Sequence, residues 1–306
     1  MRIVYLGTPD FAVKPLIKLI ENNYEVVAVI TNKDKPVGRK QILTPPPVKQ
    51  VALENGVNVL QYDKIRIEGV DDLKALRPDL LITCAFGQIL SKEIIDIAPY
   101  GVINIHASLL PKYRGASPIH YAILNGETKT GITIMKTDEG IDTGDIIYQE
   151  ELEIGENETC GSLFERLSTL GAETLIKTLP SILDKSTKFI EQDDSQATFT
   201  KIIKKEMAKI DWQNNAQDIV NQVRAFNPAP VAFASYLDMP FKIFEAKECN
   251  LTGEAGVVLK SDDNLVIGCK DKSISLLKVQ KAGGKPMEIK EFLRGNKIAV
   301  GEEFKW

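Results

Sequence analysis

Short apolar runs alternate with longer amphipathic ones across the first two thirds of this 306-residue chain, and that rhythm narrows the fold more than any other feature. Ile3 to Leu6, Val26 to Ile30, Leu80 to Cys84 and Val102 to Ile105 are apolar stretches of strand length, whereas Phe11 to Ile20, Val48 to Glu54 and Ile94 to Ile97 have helical character. Strands that are apolar on both faces must be covered on both faces, so the pattern predicts an α/β domain with a Rossmann-like, mostly parallel sheet. Ligands of such open sheets sit beyond the carboxyl ends of the strands. The first strand-to-helix turn, Gly7-Thr8-Pro9-Asp10-Phe11, lacks the spaced glycines of a dinucleotide fingerprint, which argues against a nicotinamide cofactor.

The rhythm changes after a long helix expected over Cys160 to Leu183. Polar residues at 184–194 and basic ones at 198–205 have the composition of a connection. The expected division is therefore a catalytic domain at 1–188, a linker at 189–205 and a smaller domain at 206–306. Within that smaller domain a helix from Ala216 to Phe226 precedes strand-like runs at 231–237, 241–246, 256–260, 264–269 and 273–279, separated by Gly, Asp and Asn, which suits an OB-like β-barrel. No apolar run near the N-terminus is long enough for a signal peptide or a membrane span, so a cytoplasmic, membrane-free protein is expected. The four cysteines show no Cys-x-x-Cys spacing and the chain has two histidines, so neither a metal site nor a disulfide is expected. Nothing in the composition calls for an oligomer, and a monomer is the expectation.

A formal net charge of −4 argues at first sight against a nucleic-acid partner, but the distribution matters more than the total. Residues 1–200 carry 21 Lys and Arg against 28 Asp and Glu, while residues 201–306 carry 17 against 14. The carboxyl-terminal third is thus locally basic, with Lys204 and Lys205 just ahead of Trp212. Surface lysines of this kind are equally read as a solvated face.

Chemistry concentrates at Asn104-Ile105-His106, where period-two spacing puts an amide and an imidazole on the same face of a strand. A neutral imidazole can accept the proton that an attacking amine must lose. An Asn amide can donate to the oxyanion that forms on a carbonyl, a contribution worth roughly 3 kcal/mol in other enzymes. Further along, Asp138-Glu139-Gly140-Ile141-Asp142-Thr143-Gly144-Asp145 is a turn-forming acidic segment, and Asp142 is a candidate to fix the imidazole tautomer and stabilise the imidazolium. Each residue also has a plain structural reading: His106 as a hydrogen-bonded core residue, Asn104 as a turn closer, Asp142 as a turn former. Only the combination favours acyl transfer.

The runs NIHASLLPKYRGASPI at 104–119 and TDEGIDTGDII at 137–147 resemble the 10-formyltetrahydrofolate-dependent formyltransferases, and the likeness extends through MRIVYLGTPDFAVKPL at 1–16, DKPVGRKQILTPPPVK at 34–49, KKEMAKIDW at 204–212 and RAFNPAP at 224–230. The resemblance implies 10-formyltetrahydrofolate as the formyl donor. It implies the α-amino group of methionine esterified to initiator tRNA as the acceptor. On it, Asn104, His106 and Asp142 fall on catalytic positions, and Ser108, Leu109, Leu110 and Pro111 match the folate-binding segment. Gln88, Ile89 and Leu90 look like the loop that walls the pterin pocket, although Ile89 and Leu90 are equally read as core packing. Arg39 and Lys40, in a proline-rich stretch at 34–47 with no periodic apolar pattern, are the expected tRNA contacts, joined by Lys204 and Lys205. Pro228-Ala229-Pro230 departs from the many members that carry Trp between the two prolines, which removes any role that ring plays. An amino-sugar nucleotide in place of tRNA, or a tRNA-binding protein without catalysis, are the alternatives.

Overall fold

The computed structural model describes residues 1–38 and 40–305, which form two units. The first comprises Met1–Pro118, Lys129–Glu153 and Phe164–Thr200, the second Ile119–Thr128, Ile154–Leu163 and the chain from Lys201 onward.

In chain order the elements up to residue 200 are β1 (Arg2–Gly7), α1 (Val13–Glu21), β2 (Glu25–Thr31), β3 (Lys35–Val37), β4 (Ile42–Thr44), α2 (Pro47–Glu54), β5 (Val59–Gln61), α3 (Ile65–Glu68), α4 (Val70–Leu76), β6 (Leu80–Cys84), α5 (Lys92–Ile95), β7 (Val102–His106), β8 (Arg114–Gly115), α6 (Pro118–Leu124), β9 (Lys129–Lys136), β10 (Ile146–Glu153), α7 (Cys160–Leu183) and β11 (Phe199–Thr200). The main sheet has the order β10-β9-β7-β6-β1-β2-β5, parallel from β5 to β7 and antiparallel across β9 and β10. Every residue of β6, Leu80 to Cys84, is buried, as a strand covered on both faces requires. On one face Val4, Leu6, Ile30 and Leu81 pack with Ile65, Leu73 and Ile94 from the short helices α3, α4 and α5. On the other, α7 comes close to β7 because Gly171 has no side chain: a Cβ there would lie 3.1 Å from Ile105 Cγ2. Each buried Leu or Ile of this kind contributes about 1.5–3 kcal/mol.

Three features depart from or add to the sequence expectation. Two strands lie outside the expected set: β9, which runs antiparallel between β7 and β10, and the edge strand β10, which is half-exposed and carries Glu150, Glu151 and Glu153 and so has no continuous apolar run. Residues 34–47, which show no periodic apolar pattern in the sequence, contain a small hairpin in which Lys35, Pro36 and Val37 pair with Thr44, Leu43 and Ile42. Residues 189–205, read as a connection, fold back over the first unit as far as Thr200: Ile190 bridges Ile146, and β11 pairs in parallel with β8.

The second unit adds α8 (Ala216–Ala225), β12 (Ala232–Tyr236), β13 (Met239–Cys249), β14 (Val258–Ser261), β15 (Leu265–Gly268), β16 (Ser273–Lys281), β17 (Met287–Glu288) and α9 (Ile289–Gly295). Its antiparallel sheet runs β12-β13-β16-β15-β14, with β17 on β16. The two edges are joined by the segment near the carboxyl terminus, where Glu303 bridges Val257 and Lys305 bridges Ser235. That closure makes the small barrel the turn pattern predicts. Phe304 plugs it, stacked on Tyr236 at 4.7 Å and edge-on to Phe241 at 5.2 Å between ring centres. Among the described residues no helix is long and apolar enough to cross a membrane, and no group of three His, Cys, Asp or Glu is arranged to hold a metal.

Candidate active site

β7 ends at His106, at the carboxyl edge of the parallel strands, and the sequence-predicted trio meets there. His106 is only 6% exposed. Its Nδ1 lies 3.6 Å from Asp142 Oδ2, while Asn104 Nδ2 lies 3.5 Å from Asp142 Oδ1, the outer edge of hydrogen-bond distance. Asp142 Oδ2 also accepts the Gly115 backbone N–H at 2.7 Å, so the carboxylate is tied to β8. Its backbone sits in the left-handed region at φ 53°, a conformation that Asp tolerates better than most residues.

The imidazole's tautomer has a cause the sequence did not suggest. His106 Nε2 is 3.0 Å from the Tyr113 carbonyl oxygen. A carbonyl can only accept, so Nε2 carries the hydrogen and donates it. In the neutral ring the free lone pair then belongs to Nδ1, on the side shared with Asp142 and Asn104. Tyr113 fixes the tautomer, and Asp142 is left to stabilise positive charge, the other half of the role expected of it.

Asn104 is oriented by a neighbour on β6. Thr83 Oγ1 donates to Asn104 Oδ1 at 2.9 Å, which turns the amide so that Nδ2 points toward Asp142. Thr83 and Asn104 sit opposite each other in the β6–β7 register, so the contact follows from strand pairing. Nothing in the sequence between positions 83 and 104 marks the pair.

The segment Ser108 to Pro111 is braced rather than free. Thr133 Oγ1 donates to the Ser108 carbonyl at 2.6 Å and accepts Leu110 N–H at 3.1 Å, and Gln149 Nε2 donates to the Leu110 carbonyl at 2.9 Å. Ser108 Oγ in turn donates to Lys112 O at 2.6 Å. Leu110 packs with Met135 and Ile146. Leu109 lies over β9 at Gly131, where a Cβ would come within 2.6 Å of Leu109 Cδ2. Thr133 and Gln149 come from β9 and β10, the two strands outside the sequence expectation, and no motif announces them.

In the loop after β6, the alternatives for Ile89 and Leu90 separate. Ile89 is 72% exposed, whereas Leu90 is half-buried against the core under α3 to α5. Gln88 is engaged at both ends of its amide: Oε1 accepts Ile65 N–H at 2.8 Å, and Nε2 donates to Asn32 Oδ1 at 2.7 Å and to Tyr62 O at 3.0 Å. It holds the loop in place.

Of the expected tRNA contacts, Arg39 lies outside the described residues. Lys40 is exposed, in the hairpin between β3 and β4. The hairpin's root is clasped by Lys49 Nζ, which meets Asp34 Oδ1 at 2.8 Å and Gln61 Oε1 at 2.7 Å. Lys49 first, and Gln61 second, hold the Asp34 carboxyl below its usual range. Lys204 and Lys205 are exposed in the second unit. His120, the second histidine, lies 6.4 Å from the Phe226 ring, and burial pushes its pKa down. Burial likewise pushes the Cys84 and Cys160 thiols up to about 12, so both are chemically quiet.

An amide, an imidazole and a carboxylate gathered at the end of a parallel strand are groups suited to acyl transfer, and comparison with known proteins shows the family. Residues 1–179 match the formyl transferase family model and residues 202–297 match that of the formyl transferase C-terminal domain. The chain belongs to the formyl transferase family. It is similar throughout to curated methionyl-tRNA formyltransferases: 47% identical to that of Bacillus pumilus over 99% of this chain and 97% of the relative. The Acetivibrio thermocellus protein of the same name is 44% identical over 99% of both chains. In fold it is similar to an N-formyltransferase from Helicobacter canadensis in complex with folinic acid and dTDP-3-aminofucose, at 23% identity and a TM-score of 0.71 over 91% of this chain and 98% of the other. It is also similar to HypX from Aquifex aeolicus in complex with tetrahydrofolic acid, at 18% identity and a TM-score of 0.66, over 98% of this chain and 50% of the other.

Proposed function

We propose that the protein transfers the formyl group of 10-formyltetrahydrofolate to the α-amino group of methionine on initiator tRNA, in the cytoplasm, with Asn104, His106 and Asp142 as the catalytic residues. The observation that carries this reading is the convergence of His106 Nδ1 and Asn104 Nδ2 on one carboxylate, in a chain whose whole length is similar to methionyl-tRNA formyltransferases.

The folate supplies a one-carbon unit at the formyl oxidation level, carried as an amide on N10. Asn104 Nδ2 has two N–H groups, one directed at Asp142 and one left to donate to the formyl oxygen as negative charge develops there. His106 Nδ1, its lone pair free because Nε2 donates to Tyr113, accepts the proton lost by the attacking amine. Asp142 then faces an imidazolium, and the attraction across 3.6 Å in a site largely shielded from water offsets the cost of that charge. Collapse of the tetrahedral intermediate breaks the bond from the formyl carbon to N10, and the imidazolium returns its proton to N10, so tetrahydrofolate leaves as the neutral amine and the imidazole is regenerated. The residues suit a folate head group, a flat heterocycle rich in N–H donors. The carbonyls of Ser108 and Leu110 each accept one bond within the fold and keep a second lone pair. Ile89 offers an apolar wall, with Ser108, Leu109, Leu110, Pro111 and Leu90 completing the folate-binding set and Gln88 holding the loop. Arg39, Lys40, Lys204 and Lys205 supply cationic contacts to tRNA phosphates.

The test is single-turnover transfer of a labelled formyl group to methionyl-tRNA, with a dTDP-linked amino sugar as the competing acceptor. Formylated methionyl-tRNA is the expected product. Transfer to the sugar alone, or to neither, would refute the assignment.

A further inference from the structure

The stretch after α7 has the composition of a connection, yet it delivers one buried polar side chain to the Asp142 loop. Gln192 is 8% exposed. Its Nε2 donates to two backbone carbonyls of that loop, Asp142 O at 2.9 Å and Gly144 O at 2.7 Å. Its Oε1 accepts from Arg114, Nε at 3.1 Å and Nη2 at 2.9 Å. Arg114 is itself 2% exposed, and its Nη2 reaches out to Asp194 Oδ1 at 2.7 Å. The next residue, Gly115, donates its backbone N–H to Asp142 Oδ2. Two adjacent residues of β8 therefore grip Asp142 from both ends: Gly115 directly on the carboxylate, and Arg114 through Gln192 on the main chain.

We propose that Gln192, locked by Arg114, is a positioning residue for the reaction, setting the Asp142 carboxylate against His106. The proposal rests on the role given above to Asp142. Three observations carry it. All four hydrogen-bonding positions of the Gln192 amide are used, in a fork that matches two carbonyls on one side and a guanidinium on the other. The loop it holds needs holding, since Asp142 is in the left-handed region and Gly144 passes so close to Lys136 O that a Cβ would meet it at 1.9 Å. The separation it governs, 3.6 Å from carboxylate to imidazole, is one at which electrostatic stabilisation changes steeply with distance.

Gln192→Glu is the sharpest probe. It keeps the side chain's shape and its acceptor toward Arg114 but turns an oxygen toward two carbonyl oxygens. The expected result is a kcat lower by about ten- to a hundredfold with KM for both substrates within about threefold, because the change is felt where charge develops. Since Gln192 acts through Asp142, the double variant Gln192→Glu/Asp142→Asn is expected to be no more than about twofold slower than Asp142→Asn alone. Arg114→Lys, which keeps the charge and loses the fork, is expected to give a smaller, equally KM-sparing loss. It also serves if Gln192→Glu does not fold. Losses that multiply in the double variant, or wild-type kcat in both single variants, would overturn the proposal. The wild-type rate on methionyl-tRNA reports separately on the parent assignment. Should it be zero, the ¹⁵N shift of His106 Nδ1 is the readout: Gln192→Glu should move it and the exposed Lys260→Ala should not, and a shift that stays put in Gln192→Glu, or moves equally in both, overturns the positioning role.

Discussion

The end of β7 and the hairpin at 35–44 both belong to the first unit, but they are built on opposite principles. Around His106 every group that must keep its place has an assigned partner: Tyr113 for the imidazole, Thr83 for the Asn104 amide, Gly115 and Gln192 for Asp142. Among the described residues of the hairpin, Lys49 clasps the root and Gln41 Nε2 donates to Gly38 O at the tip, while Val37, Ile42 and Leu43 are 56, 61 and 64% exposed. Proton transfer and oxyanion stabilisation fall off within tenths of an ångström, so they need partners fixed in advance. Attraction to phosphates acts over a Debye length of about 8–10 Å and tolerates a mobile cation. The first region spends buried hydrogen bonds on geometry, and the second keeps Val37, Ile42 and Leu43 exposed to solvent.

The largest effect that would break this contrast is at His106. His106→Ala is expected to lower kcat by about two to four orders of magnitude while tRNA affinity stays near wild type, measured by single-turnover transfer and filter binding. A rate within a few fold of wild type would remove the imidazole from the chemistry. Thr83→Val should follow, with kcat down by about tenfold from loss of the hydroxyl that orients Asn104, at a stability cost of about 1–2 kcal/mol seen in denaturant unfolding. If the amide's orientation were set by other contacts, kcat would not change.

At the hairpin the expected changes are of another kind. Arg39→Ala and Lys40→Ala should each raise KM for tRNA by a few fold with kcat intact, and lower the slope of log affinity against log salt by about 0.7–0.9 if the side chain meets one phosphate. An unchanged slope would detach that residue from the nucleic acid. The smallest effect belongs to the root. Lys49→Met should speed hydrogen exchange of the hairpin amides at neutral pH with little change in catalysis. Because Lys49 holds the folded Asp34 carboxyl below its ordinary value of 3.8, the clasp's stabilisation is fully present above that value. It is lost only as pH falls through the lowered one. Exchange in the wild type should therefore rise toward the Lys49→Met level only below about pH 4, and an onset near neutrality would point to another group.

Periodicity and motif carried the outline of this protein. Burial on both faces shows in four short apolar runs, so the parallel sheet was legible, and the α7 helix was read to its boundaries. Local spacing put Asn104 and His106 on one face because alternation along a strand is a property of any extended backbone. Family likeness pointed to Asp142 and to the acceptor. What the sequence by itself determined, then, is which residue types stand where a strand must end and a turn must form. Only the tertiary structure decided which atoms do what. The Tyr113 carbonyl chooses the imidazole tautomer, Thr83 across the sheet turns the amide, and Gln192, in a stretch with the composition of a linker, returns to grip the carboxylate's loop. These are contacts between residues 7, 21 and 48 positions apart. They depend on strand register and backbone direction after folding, and no local pattern of side chains encodes either.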